Sequence, residues 1–253
     1  MEYKVVALDE NSWRIEEFNH SSHVYMYLLA GTERAVLVDT GFGTIELEEI
    51  VKQVTRLPVE VVLTHGHVDH IGGTGFFDKV YMHNADTKTY RLHCQENCRR
   101  LFLENEQRLR EPKKELCLIG NRYVWDLGGR ILQAVYSPGH TYGSICIWDE
   151  QKDWLFTGDS CCQGHILLNL SYATDIKTYL RSIEKLLQIP FKITWPAHHN
   201  IPVEREILQE FEEAAAMLLQ GQAVSREIEH IGGKAKEFCW KRIGIVYSVE
   251  EKF

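Results

Sequence analysis

The sequence predicts an α/β protein of four layers: two mixed β-sheets facing each other, with helices on both outer faces. Three observations lead there. Short runs of β-branched and aromatic residues are parted by turn-forming residues; each half of the chain has the order strands, helix, strand, helix; and the helical stripes are apolar on one side only. A single domain is expected over 1–253, its two similar halves, about 1–115 and 116–253, meeting at their strand ends.

Four antiparallel strands are expected first, at 5–8, 13–18, 24–29 and 35–38, separated by NS, NHSS and AGTE. The fourth runs into Asp39-Thr40-Gly41-Phe42-Gly43. Thr44 then caps an amphipathic helix with Glu46, Glu48 and Glu49 in its first turn, Leu47, Ile50, Val51, Val54 and Leu57 on one face, and Pro58 as its stop. Strands follow at 61–63 and 80–82.

From about 86 to 110 the pattern is helical but charge-laced, with a thin apolar stripe, and this segment is expected to lie over the active site, a dimer surface or another packed face. Its arginines, Arg91, Arg99, Arg100, Arg108 and Arg110, alternate with glutamates, which reads as a solvated face, and Cys94 and Cys98 face the core. After Pro112, strands are expected at 122–125, 131–136, 144–148 and 154–156. Asp175 caps a helix with Ile176, Tyr179, Leu180, Ile183, Leu186 and Leu187 on one face, and a second helix, from Ile207 to Leu219, is closed by Gly221. Strands at 192–195 and 243–246 complete the chain.

Composition bounds the function. With 253 residues, 44% hydrophobic and 25% charged, the chain is ordinary globular protein, and a net charge of −8 without a basic run argues against nucleic acid or anionic membrane as partner. The start carries no apolar leader and no apolar stretch has spanning length, so a cytoplasmic protein is expected. Seven cysteines at scattered positions read as free, mostly buried thiols in a reducing compartment.

The chemistry concentrates in VVLTHGHVDHIGG, where His65, His67, Asp69 and His70 fall within six residues directly after an apolar strand. Adjacent side chains point different ways, so one reading places two metals side by side, His65 and His67 on one, Asp69 and His70 on the other. Three more ligand types stand just past expected strands: His140 in SPGHTYGSI, Asp159 in FTGDS, and His198 with His199 in PAHH.

With VLVDTGFG at 36–43, these stretches resemble, in order and over nearly the whole chain, the metallo-β-lactamase-fold hydrolase superfamily. The resemblance implies an αβ/βα sandwich with a dinuclear site at one edge. Carried over by position, His65, His67 and His140 would hold the first metal, Asp69, His70 and His198 the second, with Asp159 bridging and Asp39 orienting the site. His199 stands as the alternative to His198. Nitrogen and oxygen donors favour zinc and also accept iron or manganese. The expected activity is attack on an ester, thioester or lactone-like bond of a small molecule by a hydroxide between two metals, with Asp69 as the catalytic residue that orients it and handles its proton.

Rival readings are a phosphodiester hydrolase on the same site, a sulfur dioxygenase with one iron, and a non-catalytic metal-binding sensor. Asp159 in the bridging position is unlike the zinc β-lactamases with a cysteine ligand, and the chain lacks the flavodiiron ligand pattern, the added arm of the nuclease branch and the substrate helices of glyoxalase II enzymes. His83 and His165 read as structural or solvated, and His20, His23, His93 and His230 have no partners in sequence. Cys161 and Cys162 read as buried thiols; Tyr142, and more weakly Tyr172 and Trp125, are candidates to line the cleft. Substrate identity, metal identity and oligomeric state, a homodimer included, stay open.

Overall fold

Apolar runs with no polar face need cover on both sides, and the middle of the first sheet is built from such runs. The computed structural model describes residues 2–19, 22–103, 111–231 and 233–251. Strands β1 (Glu2–Asp9), β2 (Ser12–Asn19), β3 (Ser22–Ala30) and β4 (Ala35–Val38) form an antiparallel meander. Helix α1 (Leu47–Val54) crosses to β5 (Val59–Val62), the short α2 (Val68–Ile71) leads to β6 (Val80–His83), and α3 (Thr87–His93) and α4 (Glu96–Phe102) precede β7 (Cys117–Ile119). Strands β4 to β7 pair in parallel, so the first sheet has the order β1-β2-β3-β4-β5-β6-β7.

The second sheet holds β8 (Arg122–Asp126), β9 (Ile131–Tyr136), β10 (Ile145–Asp149) and β11 (Trp154–Gly158). After β12 (His165–Leu168) and α5 (Ile176–Leu186), β13 (Ile193–Pro196) and β14 (Val203–Glu204) complete it in the order β14-β13-β11-β10-β9-β8. Helix α6 (Arg205–Leu219) and strands β15 (Arg226–His230), β16 (Gly233–Trp240) and β17 (Ile243–Ser248) close the described chain.

Side-chain alternation divides β3 and β4 between two cores. Tyr25, Tyr27, Leu29, Val36 and Val38 point into the layer between the sheets, against Leu132, Ala134, Ile147 and Phe156. Met26, Leu28, Ala35 and Leu37 point the other way, onto Leu47, Ile50 and Val51 of α1. On the far side, Ile176, Tyr179, Ile183 and Leu186 of α5 pack with Ile207, Leu208 and Phe211 of α6 beneath the second sheet. Each fully buried Leu or Ile there contributes about 1.5–3 kcal/mol. The expected αβ/βα sandwich is therefore present.

Three details differ from expectation. A third sheet, β12-β17-β16-β15, lies against α6 through Ile166, Leu168, Phe238 and Ile245, where the sequence suggested a single strand at 243–246. Its alternating charges, as in REIEH and KAKEF, hid strands with one wet face. Thr44 does not cap α1: its hydroxyl donates to Glu17 Oε1 at 2.6 Å, and Glu46 holds the N-cap position without a side-chain bond. Cys94 and Cys98 sit in different places, Cys94 against the first sheet's outer core and Cys98 with its Sγ 3.8 Å from His93 Nδ1. The expected helical segment shows two helices up to Phe102, and the remainder from 104 to 110 lies outside the described residues. Among the described residues no helix is long and apolar enough to cross a membrane.

Candidate metal centre

Parallel strands leave their C-terminal ends on one edge, and that is where the polar residues gather. Asp39 follows β4, Thr64 and His65 follow β5, Asp159 follows β11, and His198 follows β13; His140 comes from the loop after β9. Main-chain and hydroxyl bonds lock the two sheets together at this edge: Tyr25 N donates to Ala197 O at 2.7 Å, Tyr27 Oη to Pro196 O at 2.6 Å, and Ile145 N to Thr64 O at 2.9 Å. Gly158, at φ +52°, passes so close to Thr64 that a Cβ would fall 2.5 Å from its hydroxyl oxygen.

The seven residues read from the sequence fall into two adjoining groups. In the first, His67 Nδ1 lies 3.0 Å from His65 Nε2 and 2.9 Å from His140 Nε2. In the second, His198 Nε2 lies 3.3 Å from Asp69 Oδ2, which is 3.7 Å from His70 Nε2. Asp159 stands between them: Oδ2 is 3.4 Å from His140 Nε2, while Oδ1 is 3.4 Å from His70 Nε2 and 3.3 Å from His198 Nε2. His199, the alternative to His198, does not join either group, and its Nδ1 is buried without a hydrogen-bond partner among the described residues.

The outer nitrogens of these histidines assign their protons. His140 Nδ1 donates to Leu167 O at 2.9 Å, His198 Nδ1 to His23 O at 2.6 Å, and His70 Nδ1 to Asp39 Oδ2 at 2.8 Å. Thr64 Oγ1 donates to the same Asp39 oxygen at 2.8 Å, so it accepts from His65 Nδ1 at 3.1 Å. In the neutral form of each ring, Nε2 is thereby left as a lone pair aimed inward. Asp39 itself is held by Thr64 N at 2.7 Å and adopts φ +63°, a strained conformation for a residue with a side chain.

Electrostatics agree with a cation-binding pocket. Burial, with His70 and His140 nearby, keeps His65 and His67 well below the ordinary histidine range, so both stay neutral, the form in which an imidazole can bind a cation. Burial opposes a charge on His70, but Asp39, Asp69 and Asp159 outweigh it and push its pKa up to about 10. Burial also works against ionised Asp69, yet His70 and His198 hold it well below the usual carboxylate range. Among the described residues, His70 Nε2 and Asp159 Oδ1 are buried with no hydrogen-bond partner. Inward lone pairs, an anionic surround and two orphaned atoms are what a pair of divalent cations would satisfy, so the residues fit that group.

Several supporting residues carried no signal in the sequence. His23 Nε2 donates to His198 O at 2.6 Å, reciprocating the bond from His198, and its ring stacks on Tyr25. The His93 ring packs on His67 at 4.7 Å between centroids, and its Nδ1 accepts from Val68 N at 3.2 Å. Asp86, fully buried, accepts from Gly66 N at 2.5 Å and Gly143 N at 3.1 Å, joining the two histidine loops. Glu17 accepts from Phe42 N and Thr44 N, both at 2.8 Å, and so shapes the loop after Asp39. In each case the partner is remote in sequence.

Other candidates are settled by their surroundings. His83 stacks on Tyr136 and accepts from Ala85 N, a structural role. His165 faces Glu237 at 2.9 Å on the third sheet. Cys161 and Cys162 are buried, whereas Cys117 and Cys239 are exposed, so thiol burial is less general than expected. Trp125 is buried between the sheets and does not line a cleft. Tyr142 and Tyr172 line a groove beside the centre.

Fold and site together match a known class. The family model described as the metallo-beta-lactamase superfamily matches residues 22–92 and 119–198, more than half of the chain. The chain belongs to that superfamily and is a metal-dependent hydrolase of its fold. It is 28% identical over 204 residues to the acyl-coenzyme A thioesterase MBLAC2 of Homo sapiens, covering 70% of this chain and 72% of that protein. It is 23% identical over 218 residues to an atrochrysone carboxyl ACP thioesterase of Aspergillus fumigatus, covering 81% of this chain and 62% of that longer protein. A solved metallo-beta-lactamase family protein from Thermus thermophilus superposes with a TM-score of 0.67 at 23% identity, covering 85% of this chain and 82% of the other. That likeness concerns the fold.

Proposed function

We propose that this chain cleaves thioesters of small-molecule acyl carriers at a pair of divalent cations, zinc by preference. His65, His67 and His140 would hold one cation, Asp69, His70 and His198 the other, with Asp159 shared. The observation that carries this reading is the geometry of Asp159, whose two oxygens each face a different histidine group within 3.4 Å. The thioester is favoured because relatives spanning most of the chain are named as thioesterases.

Two cations so held supply Lewis acidity to the scissile carbonyl and lower the pKa of a water to about 7. The chain's own residues supply orientation and proton handling. Asp69, a partly exposed carboxylate beside His70 and His198, would orient the attacking water and accept its proton. Asp39, through Thr64 and directly, keeps the lone pairs of His65 and His70 aimed inward. Ester and lactone carbonyls present the same electrophile and belong in the same test.

The decisive measurement combines metal analysis with a substrate panel of thioester, lactone and bis-(p-nitrophenyl) phosphate. Wild type should carry two metals per chain and prefer the thioester. His67→Ala should carry about one and lose on the order of 10²–10⁴-fold in kcat/KM. No bound transition metal, a single iron, or full activity in His67→Ala would sink the reading.

A further inference from the structure

Next to the metal centre lies a groove of about 520 Å³ that the proposed chemistry leaves unused. One wall is Asn84, from the turn before α3, with Thr87, Lys88 and Arg91 of α3; the other is Tyr142 and Tyr172. It is tied to the centre. Tyr142 stands two residues after His140, its N donates to Tyr172 O at 2.8 Å, and its carbonyl accepts from Tyr136 Oη at 2.9 Å. Asp86, at the foot of the first wall, bonds both histidine loops. Tyr172 is set at φ +67°, a conformation a side-chain residue holds only when its surroundings fix it.

The lining has a definite chemistry. Lys88 and Arg91 are exposed and have no carboxylate partner among the described residues, in a chain of net charge −8. Two unpaired cations on adjacent turns of one helix suit phosphate oxygens, and the half-exposed Tyr142 ring beside Tyr172 suits a flat aromatic base. A phosphorylated nucleotide carries both groups.

We propose that this groove binds the nucleotide end of an acyl-coenzyme A substrate, phosphates on Lys88 and Arg91 and adenine against Tyr142 and Tyr172. The inference rests on the thioesterase reading above and names its substrate class. A pantetheine arm separates nucleotide from thioester, so the nucleotide needs a subsite beside the metals and not among them. An acyl carrier protein presents the same arm without the base and would leave the tyrosine wall unused.

The test compares zinc-loaded wild type with the Lys88→Ala/Arg91→Ala double variant, both positions being on the surface. Calorimetry with 3′-phosphoadenosine 5′-diphosphate, the thiol-free nucleotide of coenzyme A, should give a Kd at least about tenfold weaker in the variant, with the difference shrinking at high salt. Tyr142→Ala should weaken the same binding and Tyr142→Phe should retain it. The wild-type preference in kcat/KM for acyl-coenzyme A over S-acyl pantetheine should collapse in the double variant through KM. Equal nucleotide affinity in wild type and double variant overturns the proposal, as does a wild type that turns over acyl-coenzyme A and S-acyl pantetheine equally. A preference for acyl carrier protein that is indifferent to Lys88 and Arg91 also overturns it. If no thioester is cleaved, the thioesterase reading falls, and the nucleotide affinities still decide the groove.

Discussion

Asp39 acts on both halves of the site. One of its oxygens receives Thr64 Oγ1 and His70 Nδ1, and through Thr64 it also fixes His65, so one carboxylate orients a histidine of each group. Asp86 has the complementary task of holding loops. It accepts from Gly66, Gly143 and the Thr89 hydroxyl, and burial raises its pKa while those bonds and Thr141 oppose the rise. Gly143 is required there, since a Cβ would stand 2.2 Å from that of Asp86. Asp86→Ala leaves two buried N–H groups unmet and should destabilise the fold by about 2–4 kcal/mol in urea unfolding. It should also weaken zinc retention against a competing chelator, and loss of stability with unchanged zinc affinity would reject a loop-holding role.

At the scale of elements, strand ends aim the chemistry and helix ends hold the layers. Asp175 caps α5, its Oδ1 accepting from Thr178 N at 2.7 Å, as its position before the apolar stripe led one to expect. Asp175→Ala should cost about 1 kcal/mol, within the range for lost N-caps. The bond from Thr178 lowers the carboxyl pKa in the folded chain. The cap's contribution is therefore present above the unfolded carboxyl value and is lost as pH falls through the lowered folded value. Urea midpoints of wild type and variant should differ near neutrality and converge in acid; a constant gap would assign the effect to packing.

For the whole molecule, the centre is a joint between two sheets. Its candidate ligands come from loops on both, and the ties from Tyr25 and Tyr27 to Ala197 and Pro196 cross between them beside His198. Cations gripping both sides would add to folding stability by mass action, about 2.7 kcal/mol for a site at a hundred times its Kd. Chelation should lower Tm by about 5 °C or more, and zinc should restore it. An unchanged Tm after verified metal removal would show that the two sheets do not depend on the centre.

VVLTHGHVDHIGG, SPGHTYGSI, FTGDS and PAHH made the seven candidate positions that gather at one edge legible, because each stands just past an apolar strand and strand ends carry sites. The two-sheet architecture was legible too, since strands covered on both faces read as unbroken apolar runs. What sequence order does not carry is pairing at a distance. Asp159 facing two groups, Asp86 joining loops, the mutual bonds of His23 and His198, and Lys88 brought opposite Tyr142 all depend on residues from different elements meeting. Charged strands such as β15 were hidden for a related reason: only the sheet they pair into makes them strands. The sequence by itself determined which side chains are offered at the strand ends and on which kind of scaffold; only the packing of one sheet against the other decided which atoms face each other.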